Sequence, residues 1–162
     1  MKTPSMGFLA ASAVVVCLAA GLSADGRQSG AALPDPCPLL TKADIDKATG
    51  RSDAMRFPNQ PDKMPNGAAV CTIDGGADLD IELILYPRTA TTALTAPKNG
   101  EMLPDVGASA YFQATPGNAA VFAIKALNSP YALHVGLQSK ASAQTMRAIG
   151  SALARAALDK LK

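Results

Sequence analysis

The sequence predicts an α+β fold: an antiparallel sheet of about five strands covered by an N-terminal and a C-terminal helix. Three observations carry that expectation. Two segments near the ends of the ordered chain hold helix signals, a capping pattern in the first and an apolar stripe in the second. Five segments between them alternate or run apolar over six to eight residues each. All but one of the links between those segments are hairpin-length, which favours antiparallel pairing.

The first helix lies in "LLTKADIDKATG". Thr41 is its N-cap, and Asp44 at the third helical position completes a capping-box variant. Leu40 before the cap can meet Ile45 as a hydrophobic staple. Asp44 and Asp46 suit the positive end of the helix dipole, and Gly50 supplies a left-handed stop. Arg56 to Gly67 holds three prolines and an Asn-Gly pair, so it reads as loop. Ala68 to Ile73 reads as the first strand. Leu79 to Tyr86, "LDIELILY", alternates, with Leu79, Ile81, Leu83 and Leu85 facing the core and Asp80 and Glu82 facing away. The short Asp74–Asp78 link joins these two as a hairpin.

Thr89 to Ala96 reads either as a short helix or as a crossover, and "KNGEMLPDVG" after it reads as loop. Ala108 to Ala114 and Ala119 to Ala126 form a second hairpin around "TPGN". Tyr131 to Leu137 is the last strand, with Tyr131, Leu133, Val135 and Leu137 on one face. Ser142 to Leu161 is the closing helix, with Met146, Ile149, Leu153, Ala157 and Leu161 on its apolar stripe. Gly150, unfavourable in a helix interior, allows a close approach to the sheet.

The chain has 162 residues with 48% hydrophobic and 17% charged, a composition that suits one globular domain. Its net charge of +2 offers no strong field to recruit nucleic acid. With no Trp, three Tyr and four Phe, a stacking platform for bases or sugars is hard to build.

The first residues, "MKTPSMGFLAASAVVVCLAAGLSADG", combine a cation, an apolar run and small residues, the pattern of a secretory signal peptide. The expected organisation is a leader over 1–24, a flexible tether over 25–36 and a single domain over 37–162. Val16 directly before Cys17 does not match a lipobox. Removal of the leader leaves no stable membrane span. The expected location is periplasmic or secreted.

Cleavage would also remove Cys17 and leave Cys37 and Cys71. An even count in an exported chain favours a disulfide. A metal site would need further ligands, and His134 is the sole histidine. The cysteines are far from a Cys-x-x-Cys spacing. One Cys37–Cys71 bridge is therefore expected, closing a loop of some thirty residues.

The stretches "CPLLTKADIDKATG", "CTIDG", "LPDVGASAYF" and "ALARAALDKL" together resemble the small exported bacterial proteins of domain of unknown function 3558. The chain departs from that pattern at Thr72, where an aromatic is usual, at Ser109, and in lacking the lipobox. The resemblance implies export, one disulfide and an α+β sheet. It implies no known activity.

Asp74, Asp78, Asp80, Glu82 and His134 form the candidate ligand face. Asp78, Asp80 and Glu82 fall on one side of a strand, where carboxylates suit calcium or paired acid–base work. A solvated sheet face that resists edge pairing explains them as well. His134 points away from Leu133 and Val135, a half-exposed face position, and an ordinary histidine titrates near about pH 6.5. Arg147, Arg155, Lys160 and Lys162 make the last helix basic, in keeping with its dipole. Phosphate-binding Gly loops, Gly-x-Ser-x-Gly and His-Glu-x-x-His are absent from the sequence.

The expected function is that of a non-enzymatic envelope or secreted module. It would bind an envelope protein, a polymer or a small ligand through one sheet face, with no cofactor and no nucleic acid. The alternatives are a hydrolase or a calcium-dependent binder using the Asp78–Glu82 face.

Overall fold

The computed structural model describes residues 33–52, 55–58, 60–76, 78–88 and 97–162. The predicted leader, most of the tether and the Thr89–Ala96 segment lie outside the described residues. The last residues of the expected tether are docked: Leu33 packs against the core, and the Cys37 N–H donates to Asp35 Oδ1 at 2.8 Å.

A single 3₁₀ turn, Cys37–Leu39, leads into α1, Lys42–Thr49. The capping box forms: the Asp44 N–H donates to Thr41 Oγ1 at 3.3 Å, and the Thr41 N–H donates to Asp44 Oδ2 at 2.8 Å. Gly50 ends the helix at φ 68°, in the left-handed region that favours glycine. Seven strands follow, β1 Asp62–Lys63, β2 Ala69–Asp74, β3 Leu79–Pro87, β4 Glu101–Met102, β5 Ser109–Thr115, β6 Asn118–Ile124 and β7 Tyr131–Ser139. The chain closes with α2, Ala143–Lys160.

All seven strands join one antiparallel sheet in the order β1-β2-β3-β7-β6-β5-β4. The hairpin β2–β3 makes one half. The run β4 to β7 starts at the opposite edge and returns strand by strand until β7 pairs with β3. The expected five strands are thus corrected to seven. The two extra strands are two residues long and exposed, in segments read from sequence as loop. Two residues cannot show a period, so the ladder of a longer neighbour recruits them. Short edges bearing Asp62, Lys63 and Glu101 also discourage pairing with another chain.

One face of the sheet carries the main core. Ile73, Ile81, Leu83, Leu85, Val121, Leu133 and Val135 are almost wholly buried there. α2 lies across β5, β6 and β7 and buries Met146, Ile149, Leu153, Ala154, Ala157 and Leu158. At Gly150 the helix comes so near that an added Cβ would sit 2.9 Å from Val121 Cγ2. The expectation that both helices cover the sheet is corrected. α1 packs chiefly against α2. It has eight residues and buries only Ile45, too small a stripe to roof a sheet by itself. The two helices are tied by Lys160 Nζ, 2.5 Å from Asp44 Oδ2.

The Pro104–Gly107 loop is a rigid turn into β5. The Leu103 N–H donates to the Ala110 carbonyl at 2.9 Å, and Leu103 and Val106 are buried. Gly107 has φ 62°, and a Cβ there would collide with the Ile124 carbonyl oxygen.

Cys37 and Cys71 are bonded, with Cα atoms 5.2 Å apart and a separation of 34 positions in sequence. The bridge holds the 3₁₀ turn against β2. Closing a loop of that size removes denatured-state freedom equivalent to about 3–4 kcal/mol. A Cys37→Ala/Cys71→Ala double variant is therefore expected to lose about that much stability in urea titration. Equal midpoints for the variant and the oxidised protein would contradict the role given to the bond.

Asp44 sets the acid limb. Partial burial pushes its carboxyl up, but hydrogen bonds from Lys160 and Thr41 outweigh burial and hold it at about 2. The folded state thus binds this proton less readily than the unfolded chain, whose ordinary value is 3.8. The contribution is full above that value and is lost as pH falls from there to about 2. Asp44→Asn should flatten the fall of the urea midpoint in that window and leave the slope near neutrality unchanged.

Candidate functional site

Among the described residues no helix lies over the other face of the sheet, and its side chains fall into transverse rows set by the strand register. The middle row runs Thr72, Glu82, Gly136, Ala120, Gln113 across β2, β3, β7, β6 and β5. On one side of it lies a polar row, Asp74, Asp80, Gln138, Asn118, Thr115. On the other lies an apolar and aromatic row, Val70, Ile84, His134, Phe122, Tyr111. Each of these five strands contributes one residue to each row because alternate side chains share a face.

Gly136 and Ala120 are the smallest residues of the middle row, and taller side chains surround them. The result is a cleft of about 430 Å³, with Glu82, His134, Gln138, Asn118 and Gln113 among its walls. That volume lies within the range of small-ligand sites, roughly 300–1,000 Å³. An added Cβ on Gly136 would meet Glu82 Oε2 at 3.4 Å and His134 Nε2 at 3.6 Å. Both groups therefore lean over the floor.

His134 is on the outward face as the alternation predicts, but it is less open than that position suggests. Its ring stacks on Phe122 with centroids 4.6 Å apart and an interplanar angle of 7°. Tyr86 lies 6.5 Å away on a nearly parallel plane. Both ring nitrogens are buried and lack a hydrogen-bond partner among the described residues. Burial disfavours the charged imidazolium and brings the pKa from 6.5 down to about 4. Burial, and after it the charge of Glu82, also push the Tyr86 hydroxyl above its ordinary value.

The structure divides the predicted ligand face. Asp80, Glu82 and His134 line the cleft. Asp78 lies in an adjoining shallow depression with Asp80, where Lys140 Nζ reaches its Oδ1 at 3.2 Å. Asp74 turns into the hairpin, accepting from the Gly76 N–H at 3.0 Å. Among the described residues, no group of three or more His, Cys, Asp or Glu side chains converges to hold a metal ion. Thr72, Gln113, Asn118, Ala120, Gly136 and Gln138 line the cleft without having been singled out in the sequence. Their signal was the period-two alternation, extended from the core-facing residues to the opposite face of every strand.

No helix among the described residues is long and apolar enough to cross a membrane. No family model, curated protein or solved structure matches this chain.

The burial of neutral His134 has a pH consequence. Its folded-state value lies below the unfolded one, so between 6.5 and about 4 the unfolded chain binds the proton more readily. The contribution is full above 6.5 and is lost as pH falls toward 4. His134→Phe, which keeps a ring on Phe122, should remove this part of the slope of the urea midpoint. An unchanged slope in the variant would show that His134 is not the titrating group.

Proposed function

We propose that this chain is an exported, non-enzymatic binding module that holds a small ligand in the cleft over Gly136 and Ala120. The single observation that carries the reading is the cleft. It gathers carboxylate, carboxamide and hydroxyl groups around a floor kept low by a glycine and an alanine. A sheet face that only met solvent would not need its central row emptied in this way. A concave cleft of this volume favours a small molecule over a polymer or an envelope protein.

Export, to the periplasm or beyond, is supported by the leader pattern over 1–24 and by the Cys37–Cys71 bond, which suits an oxidising compartment. The resemblance to domain of unknown function 3558 supports the same location. The hydrolase alternative draws less support. Asp80 and Glu82 stand side by side on one strand, roughly 6–7 Å apart along it, rather than flanking a bond from two sides. Asp78, the third carboxylate, is engaged by Lys140. The calcium alternative lacks converging carboxylates, and calcium takes about 6–8 oxygen ligands.

The test uses the mature protein recovered from the envelope fraction of its own cells. Native mass spectrometry should show a small molecule retained by the natural chain. Gly136→Val, whose side chain suits a strand and fills the floor, should fold with an unchanged melting temperature and arrive empty. Retention of the same molecule by the variant would remove the cleft as the site.

A further inference from the structure

The site just proposed has a marked imbalance of charge. The described residues that line the cleft include two carboxylates, Asp80 and Glu82, and no Lys or Arg. Ion pairing occurs close by, but Lys140 uses Asp78 in the neighbouring depression. The Glu82 carboxylate makes no hydrogen bond and no ion pair with any described residue, its ladder bonds being made by the backbone. It is nonetheless half-buried, between Thr72 on one strand and Gly136 on the other.

We infer that the cleft takes a small organic cation, a ligand bearing a primary or secondary ammonium group, and that Glu82 is the carboxylate that receives it. The inference rests on the reading of the cleft as the ligand site. A carboxylate partly withdrawn from water keeps an unmet demand for donors, and a charged N–H is the donor that meets it best. The position of the group fits: Glu82 Oε2 leans over the Gly136 floor, 3.4 Å from where a side chain would begin. The glycine leaves the space that an ammonium head would fill.

An ammonium group needs up to three acceptors. Glu82 supplies its carboxylate oxygens, and Gln113, Asn118 and Gln138, whose amides each carry an acceptor carbonyl, line the same cleft. The neutral His134 ring stands at the wall; of its two buried, unpartnered nitrogens one is a donor and one an acceptor. Its burial keeps it neutral at ordinary pH, so it does not compete for Glu82 as an internal cation. The His134 ring, held flat by its stack on Phe122, offers an apolar side for the body of the ligand.

Other ligand classes fit less well. An anion would meet two carboxylates and no cation. A bare metal ion would find no cluster of three ligands among the described residues. A neutral ligand would leave Glu82 uncompensated in the bound state, where the last water is displaced.

The test uses benzylammonium, benzyl alcohol and benzoate as probes on the mature, oxidised chain. The readout is the backbone amide signals of Gly136 and Ala120 in nitrogen-15 NMR titrations. Benzylammonium should shift both signals and bind at least about tenfold tighter than benzyl alcohol, as a charge-assisted hydrogen bond requires. Benzoate should shift neither. Glu82→Gln keeps the shape and removes the charge, and should weaken benzylammonium by about tenfold or more. Asp78→Asn should leave it unchanged.

Equal binding of the alcohol, tighter binding of benzoate, or undiminished binding by Glu82→Gln overturns the assignment. So does an absence of any shift with benzylammonium up to the limit of its solubility. If a neutral or anionic probe occupies the cleft and Gly136→Val removes it, the cleft stands and only the cation assignment fails. If the molecule retained from the envelope persists in Gly136→Val, the cleft itself is wrong and the assignment falls with it.

Discussion

The ladder between β3 and β7 is the constraint on which the rest depends. It pairs nine residues of each strand, Leu79 with Ser139 through Pro87 with Tyr131. These strands are separated by more than forty residues of sequence, so their union carries a large loop-closure cost. Buried apolar side chains offset it: Ile81, Leu83, Leu85, Leu133, Val135 and Leu137 all meet on the core face. Without that seam the N-terminal hairpin and the C-terminal meander would be two small sheets. The two-residue β1 adds little to the N-terminal hairpin, and an isolated two-stranded hairpin is marginally stable in water. The same seam sets Glu82 opposite Gly136 on the other face, so one register builds both the core and the cleft.

The helices share the work unequally. α2 supplies the apolar stripe that closes the core, and α1 braces α2 rather than the sheet. The ends of that brace are fixed by different means. The Cys37–Cys71 bond holds the entry to α1 on β2, and Lys160 reaches Asp44 at its first turn. Near the C-terminus, Lys125 Nζ donates to the Leu161 carbonyl, which meets one of the carbonyl groups left over at the helix end. With both described helices on one side, the cleft residues of the opposite face are left clear of helix among the described residues.

That open face is graded rather than uniform. At one end Ala68, Val70 and Ile84 make a small apolar cluster with Tyr86 packed on it. Next come the stacked rings of His134 and Phe122, then the low floor, then Gln138 and Asn118. A ligand lying across these rows would meet an apolar wall, a carboxylate and carboxamides in turn. The order follows from the register alone, because moving any one strand by one residue would exchange its core residues for its outward ones.

Much of this was legible in the sequence. The five long strands, both helices, the caps at Thr41 and Gly50, and the pairing of Cys37 with Cys71 all follow from local signals. These are periodicity, capping chemistry and cysteine count. The two-residue strands were not legible, because a segment that short has no period and owes its extension to its neighbour. The place of α1 was not legible either, since Ile45 can be buried against a helix as readily as against a sheet. For the candidate site, the sequence placed Asp80, Glu82 and His134 on one outward face but could not set them beside Gln113, Asn118 and Gly136. It also could not foresee that Phe122, opposite His134 only once β6 pairs with β7, would cover the imidazole and suppress its charge. Side-chain alternation is a property of each strand by itself. Which strands stand side by side is decided by the burial that the whole sheet achieves, and only that choice creates the cleft.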